Sequence, residues 1–408
     1  MRDDTRAGIA GIAGFGLSFL FAIAGSLLIA PWVALLALVA LPVDPAFWRM
    51  RRVPWGLLAG GAFLAWVALS ALWSPYEGTG QIWRTCLGIP LYVLFVARIG
   101  QLGEAWQHRV EAAMIFLVTG LGLFLLAEAL FDGVATRGFK LVEEGYAVSE
   151  AAADVQTFVN RNLGHAAVPL LLLSVPAGLV AWREGGPLIG IAIVALAAIA
   201  AFSFDTHVNA AAFMLAFVAA GLAVFWPRTM ITLVCGITAG ILIVMPLALP
   251  ELIAALPQGF KDALPLSWIW RLEIWSFAGE LIRERPWFGY GLDASRPLNR
   301  ELALQGFTVE ALPLHPHNAT LHIWLETGAV GAVLLALALV AMGGRIAAAE
   351  QLSRLQAVGV VWIFVVYVSL IVFSYGVWQE WHQGTVALAA TSVFFLGAKK
   401  RKSRTSRV

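Results

Sequence analysis

Long apolar runs alternate with short polar breaks along almost the whole chain. A helix needs roughly 20 apolar residues to cross the hydrocarbon core of a bilayer. On that measure the pattern predicts about twelve transmembrane helices. They fall near residues 7–23, 25–42, 54–73, 82–98, 110–131, 162–182, 187–204, 207–226, 229–250, 318–342, 356–375 and 380–398. The first two are parted only by Gly25-Ser26 and Pro31. Because apolar runs recur to the C-terminus, the first reads as a span and not as a cleaved leader. The expectation is an all-α, polytopic membrane protein.

Two polar interruptions are long. Residues 132–161 are mixed and rather acidic, with Glu143, Glu144, Glu150 and Asp154, and end in Asn160-Arg161-Asn162. Residues 251–317 hold Lys261, Arg271, Arg283, Arg285, Arg296 and Arg300. A stretch that long is expected to have structure of its own. Within it, Leu266–Arg285 alternates apolar and charged residues at helical spacing, with Trp268, Trp275 and Phe277 expected on the bilayer surface and Arg271 facing inward. Pro286 should stop that helix, Phe288-Gly289-Tyr290-Gly291 should form a flexible turn, and Pro297 should open a second short helix over 297–305. The organisation that follows is an N-terminal bundle of about nine helices over 1–250, interrupted by the 132–161 loop, then the large loop 251–317, C-terminal helices over 318–398 and a basic tail over 399–408.

Composition agrees: the chain is 60% hydrophobic and 13% charged, with mean hydropathy +0.81. Many tryptophans flank the runs, among them Trp32, Trp48, Trp55, Trp182 and Trp226, as in an interfacial belt. With the N-terminus inside, the inner connections carry Arg49, Arg51, Arg52, Arg98, Arg109, Arg183, Arg228, Arg345 and Arg354, and the tail Lys399–Arg404 ends inside too. Both long loops are then extracytoplasmic. The basic 251–317 loop is tolerated there because long loops largely escape the positive-inside rule. Cys86 and Cys235 lie in apolar runs and suggest neither a disulfide frame nor a metal site. No repeat of 20–50 residues is evident, which argues against a solenoid or a transporter built of repeats.

Polar groups inside spans are costly and tend to serve function. Arg84, Glu128, Asp205, His207 and His322 all fall near the outer ends of predicted spans, while the inner halves look empty. Snorkelling to headgroups and a shared polar cavity both account for that distribution. The most informative stretch is Leu314-His315-Pro316-His317-Asn318, where an imidazole pair meets the start of a span below the arginine-rich loop. His317 is the candidate base. His315 shapes the turn that Pro316 fixes, or touches substrate. Asn318 caps the following helix or contacts substrate. Gly328 and Gly331 read as close helix packing, and Glu326, four residues after His322, as its structural partner.

Taken together, Arg271…Trp275…Pro286-Trp287-Phe288-Gly289-Tyr290-Gly291, then His317-Asn318 and Gly328-Ala329-Val330-Gly331, closely resemble the signature of the O-antigen ligase and O-antigen polymerase superfamily. The specific part of the resemblance spans roughly residues 266–340. It implies a metal-independent membrane-embedded glycosyltransferase of the C type, with no cofactor. Such an enzyme moves a glycan from undecaprenyl diphosphate to an acceptor hydroxyl at the periplasmic face of the bacterial inner membrane. The acceptor is a lipid A-core sugar in a ligase and another lipid-linked repeat in a polymerase. His317 matches the family's proposed base and Arg271 an essential loop arginine. Arg161 resembles a second arginine at a span entry, and Arg84 is a further candidate for substrate contact. One departure is clear: where many members carry Ser-Arg-Gly, this chain has Ser203-Phe204-Asp205-Thr206-His207.

The residue chemistry points the same way. Guanidinium forks suit diphosphate oxygens and can stabilise a departing pyrophosphate. An uncharged imidazole can take the proton of an attacking alcohol, and neighbouring arginines disfavour its protonation. Attack from behind the leaving group inverts the anomeric centre. There is no paired-carboxylate signature, no Asp-x-Asp metal motif, and nothing that suggests a nucleic-acid partner. The expected partners are the lipid-linked glycan, the glycolipid acceptor and the bilayer. Ligase leads, polymerase is the alternative with the same chemistry, and a lipid or glycan transporter or an assembly scaffold are the readings from other classes.

Overall fold

The computed structural model describes residues 2–44, 53–143, 152–204, 206–304 and 306–397. Trp48, the inner arginines Arg49, Arg51 and Arg52, the loop acids Glu144 and Glu150, Asp205 and the basic tail lie outside the described residues. The helices are α1 Arg2–Ile23, α2 Ile29–Val39, α3 Trp55–Ser70, α4 Gly80–Ile99, α5 Glu104–Leu130, α6 Val134–Glu143, α7 Ala152–Gly185, α8 Pro187–Ser203, α9 His207–Phe225, α10 Pro227–Ala255, α11 Gln258–Asp262, α12 Leu266–Glu284, α13 Ala319–Ala347, α14 Arg354–Phe373 and α15 Glu380–Thr391. A hairpin, β1 Glu301–Leu304 and β2 Phe307–Glu310, pairs antiparallel with Glu301 opposite Glu310.

The protein is an all-α polytopic membrane protein. All twelve predicted positions are helical. Among the described residues nine helices are long and apolar enough to cross a membrane. The other three are shorter apolar helices: α8, with 17 residues, matches its expected 187–204 closely, whereas α2 has 11 residues and α15 has 12 before Ser392–Leu396 continues it as a 3-10 turn. The cause at α2 is local. Gly25 and Ser26 both have positive φ and stop α1 sharply. That turn is fastened to α7, where Asn162 Nδ2 donates to the Ile23 carbonyl at 3.0 Å and Ser26 Oγ donates to the His165 carbonyl at 3.1 Å.

Interior prolines explain how neighbouring helices find one another. A proline lacks the N–H that would engage the carbonyl four residues back. Pro169 thereby frees the His165 carbonyl that Ser26 uses. Pro246 in α10 frees the Leu242 carbonyl, which accepts Trp324 Nε1 of α13 at 2.7 Å. The most enclosed span, α7, lies at the centre of the larger apolar cluster, and α13 packs between α10 and α3 in a second one with α12.

The described arginines expected on the inner side, Arg98, Arg109, Arg183, Arg228, Arg345 and Arg354, stand at helix ends away from residues 266–317, and several close those ends. Arg98 Nε donates to the Ala40 carbonyl at the end of α2, and Arg228 donates to the Ala347 and Ala349 carbonyls at the end of α13. Those ends are not empty of buried charge, as the pattern suggested: Glu111 of α5 is buried and paired with Arg183 of α7 at 3.1 Å.

The 132–161 interruption is largely helical where it is described. Glu128, an orphan on the sequence pattern, is buried and accepts from the backbone N–H groups of Ala135 and Thr136, which seats the start of α6. The α7 helix begins ten residues before the predicted span, so Arg161 stands on an exposed helical turn and not in a loop. The helix expected at 297–305 is absent. The chain forms the β1–β2 hairpin instead, because Gly306 adopts φ +86° and turns it back.

Candidate active site

The site begins with a break in α13. Gly328 has φ 63° and ψ −168°, a conformation open essentially to glycine alone. In an unbroken helix the Leu325 and Glu326 carbonyls would accept from Ala329 and Val330. Here they accept from Tyr290 N and Gly291 N at 2.8 Å each. The freed N–H groups of Ala329 and Val330 donate to the Pro286 and Trp287 carbonyls at 2.8 and 3.2 Å. The Pro286–Gly291 segment is thus spliced into the helix. A Cβ on Gly328 would lie 2.3 Å from the Trp287 carbonyl oxygen, and one on Gly289 2.6 Å from the Glu326 carbonyl carbon. The glycine-rich turn and Gly328 are two halves of one joint, which corrects the reading of Gly328 as ordinary helix packing. Gly331 fits that reading better, since a Cβ there would come within 3.2 Å of the Trp66 ring of α3.

The splice brings three segments around Glu326, whose side chain is fully buried. Its carboxylate accepts from Asp293 N at 2.8 Å, Ser295 N at 3.2 Å, Ser295 Oγ at 2.6 Å, Trp378 Nε1 at 2.6 Å and His322 Nε2 at 3.0 Å. His322 Nδ1 in turn accepts from Val377 N at 3.3 Å. The large loop, α13 and the 374–379 turn are therefore tied to one carboxylate.

The imidazole pair rests on that platform. Ser374 caps the end of α14, and its carbonyl lies 2.8 Å from His317 Nδ1. A carbonyl only accepts, so Nδ1 carries the hydrogen and Nε2 presents a bare lone pair. His317 N donates to His315 Nδ1 at 3.1 Å, which leaves the hydrogen of His315 on Nε2. The two rings lie 4.4 Å apart, and His315 stacks on His322 at 5.8 Å. Leu314 and His317 both have positive φ, the cost of folding this tight turn without glycine. Burial pushes the His317 pKa below its ordinary value, with Arg271 and His322 adding to the effect against the opposing bond to Ser374. Burial, followed by His317, His322 and Arg296, pushes His315 down to about 2. Both rings are uncharged near neutral pH. Asn318 is the N-cap of α13: its Oδ1 accepts from Thr320 N, Leu321 N and Thr320 Oγ1, so the capping role fully occupies that oxygen.

The arginines divide into two groups. Arg271 of α12 is half-buried, with its guanidinium over the Trp268 ring at 5.2 Å, and burial lowers its pKa. It is close enough to act electrostatically on His317. Trp275, expected on the bilayer surface, is instead buried and donates Nε1 to the Pro316 carbonyl at 3.0 Å, which fixes α12 against the imidazole turn. Arg161 lies over Phe158 at 5.0 Å, one turn from His165, whose ring packs on Tyr375 and Trp381 beside the turn that carries Ser374. Arg84 is exposed and pairs with Glu380 at 3.3 Å. The structure joins Arg271, His315, His317 and Asn318 in one cluster and sets Arg161 and Arg84 on neighbouring helices around it.

Sequence reasoning missed Ser374 and Trp378, and with them the whole 374–379 turn. The available signal was the dense aromatic and polar run Tyr375–Gln383 between two apolar spans. It passed over the organising role of Glu326 and the tether of Arg296 to Asp293, whose backbone that carboxylate holds.

Below the cluster an apolar cavity of about 940 Å³ is lined by Ala319, Thr320 and Trp378, and continues along α13 past Leu242 and Tyr92 to Arg345. A second cavity of about 720 Å³ shares Met342, Arg345 and Phe394 with it. Apolar space therefore runs from beneath the imidazoles through most of the membrane depth.

Residues 162–336 match the family described as O-antigen ligase. That stretch contains the entire spliced joint, Arg271, His315, His317 and Asn318. Proteins named "Putative polysaccharide ligase" from Rickettsia conorii and Rickettsia prowazekii are 33% and 35% identical to the chain over 115 residues. Each of these matches covers 27% of this chain and 28% of the relative's length. No solved structure matches the chain. Over residues 162–336, this multi-pass membrane protein is similar to the O-antigen ligase family.

Proposed function

We propose that the protein is an O-antigen ligase: it transfers a glycan from undecaprenyl diphosphate to a lipid A-core hydroxyl. The carrying observation is the bare Nε2 of His317, held in one tautomer by the Ser374 carbonyl and uncharged by burial beside Arg271. A base of that kind takes the proton of the acceptor hydroxyl as its oxygen attacks the anomeric carbon. The bond from that carbon to the diphosphate oxygen breaks, and the polyprenyl diphosphate leaves with its charge held by Arg271. Displacement on the far side of the sugar inverts the anomeric centre. No step requires a metal.

The apolar cavity supports a donor with a long hydrocarbon tail. It is lined by Ala319 and Thr320, two and three residues after His317, so a tail lying in it would bring its diphosphate close to the imidazoles. The arginines at helix ends away from residues 266–317 support an orientation with those ends cytoplasmic, the site periplasmic and both termini inside. The relatives' name favours ligation over polymerisation.

Reconstitution tests the proposal. Purified protein in liposomes is given undecaprenyl-diphosphate glycan together with either lipid A-core or a second lipid-linked repeat, and the product linkage is identified. Glycan joined to core with inverted configuration is the expected result. Extension of the lipid-linked repeat alone would make the protein a polymerase. Movement of intact lipid between leaflets without bond transfer would make it a transporter.

A further inference from the structure

Arg296 occupies a built position that neither the family resemblance nor the sequence pattern singles out. It follows the spliced segment directly. Its Nε bonds Asp293 Oδ1 at 3.0 Å, and its guanidinium lies over the Tyr76 ring at 5.6 Å. Asp293 is buried and holds φ +62°, a costly conformation for a residue other than glycine. Such strain persists only where the surroundings impose it. Here they do: Asp293 N is bound to Glu326, and the preceding Leu292 carbonyl accepts Ser74 Oγ at 2.7 Å. The strained turn thus fixes the carboxylate that aims Arg296. Only one edge of the guanidinium fork is used by Asp293, and the side chain remains 39% exposed. Asp293 N and His322 Nε2 share the Glu326 carboxylate, and His322 stacks on His315, so the carboxylate that holds Arg296 belongs to the same bonded platform as the imidazole pair.

We propose that Arg296, seated on Tyr76 and tethered by Asp293, is a second diphosphate-binding guanidinium of the site, working together with Arg271. This rests on the reading of the protein as a transferase using a polyprenyl diphosphate donor. The free Nη edge offers two parallel donors to phosphate oxygens, and the aromatic face beneath holds the fork in plane. Arg161 and Arg84 then serve elsewhere, on the surrounding helices.

The competing role is structural: Arg296 neutralises Asp293 next to the Glu326 carboxylate and does nothing more. Arg296→Gln, Asp293→Asn and the double variant separate the two. Transfer is measured against donor and acceptor concentration, with inorganic pyrophosphate as a donor-site inhibitor, and thermal unfolding in detergent checks that each variant folds. A lost charge-assisted contact should lower kcat/KM for the donor about 10- to 100-fold, raise the pyrophosphate inhibition constant comparably and leave the acceptor KM unchanged. The double variant should remain impaired although its buried charge is gone. Recovery of activity in the double variant would overturn the proposal, as would an effect confined to the acceptor KM, or wild-type pyrophosphate inhibition in Arg296→Gln. Exposed Arg283→Ala serves as the charge-loss control. Failure of the wild-type protein to transfer anything would strike the underlying reading, whereas transfer by wild type with donor kinetics unaffected in Arg296→Gln strikes Arg296 alone.

Discussion

Replacing Gly328 with alanine tests the joint on which the site is built. At φ 63° and ψ −168° an alanine costs about 1–3 kcal/mol in backbone strain. Its Cβ would also sit 2.3 Å from Trp287 O, 2.4 Å from Trp287 C and 2.6 Å from Phe288 N. All three are backbone atoms, so no side chain can swing aside. The cheaper escape is to heal the helix: Ala329 N and Val330 N return to the Leu325 and Glu326 carbonyls, and the Pro286–Gly291 segment is expelled. Four inter-segment bonds are lost and two helical bonds are regained. At about 1 kcal/mol net for each hydrogen bond, that is roughly 2 kcal/mol. The Asp293 and Ser295 bonds to Glu326 are lost with the segment, bringing the total to about 3–6 kcal/mol.

The expected outcome is specific. Gly328→Ala should keep its overall helicity, melt a few degrees or more below wild type in detergent, become open to proteolysis between residues 286 and 296, and lose transfer. Gly186→Ala, at a positive-φ glycine with open space around it, should show the strain alone and leave the 286–296 segment protected. Wild-type melting together with wild-type protection of the 286–296 segment in Gly328→Ala would refute the argument that the segment needs the break.

Three further outcomes follow from the site. His317→Gln keeps a polar side chain but no base, and should reduce kcat by about 100-fold or more while leaving melting close to wild type; near-normal turnover would exclude His317 as the base. Arg271→Lys keeps the charge but loses the planar fork, and should raise the donor KM or lower kcat by about 10-fold or more; full activity would reduce Arg271 to a generic cation. The pH dependence has a defined sign. His315 and His317 have folded-state pKa values below the unfolded value of about 6.5, so acid favours the unfolded chain. Stability should be complete above about pH 6.5 and fall progressively below it, for His315 until pH about 2. His315→Asn should therefore flatten the decline of melting temperature between pH 6.5 and 4, and an unchanged slope would remove His315 as its source.

Much of the fold was legible because a bilayer leaves so few options: every backbone group must be satisfied within its own helix, so apolar runs read directly as helices. The pattern failed where a local event overrode it. Ser26 in a left-handed conformation shortened α2, and Gly306 turned an expected helix into a hairpin. Trp275 looked interfacial because it is an amphipathic residue on an amphipathic segment. Only the Pro316 carbonyl, 41 residues away, shows why its indole is buried. The chemistry was legible as residue types but not as partners. His317 stood out, yet its tautomer is set by the backbone carbonyl of Ser374, 57 residues away, which no side-chain pattern announces.

The spacing of the motif acquires a physical reason from the splice. Pro286-Trp287-Phe288-Gly289-Tyr290-Gly291 and Glu326-Thr327-Gly328 lie far apart in sequence, but each supplies the backbone groups that the other lacks. Membrane helices tolerate a break only where something re-satisfies the freed carbonyls and N–H groups. Here the satisfying segment also delivers Asp293, Ser295 and Arg296 to the site. The same break lets Glu326 gather three segments at the head of α13, immediately beneath the imidazoles and beside the apolar cavity. A rigid straight α13 would carry His317 equally well but would not bind the segment that seats Asp293 and Arg296. On the proposed mechanism, a chain that lost the joint while keeping every charged residue would retain His317 but lose the seat of Asp293 and Arg296, and its transfer should fail at the donor.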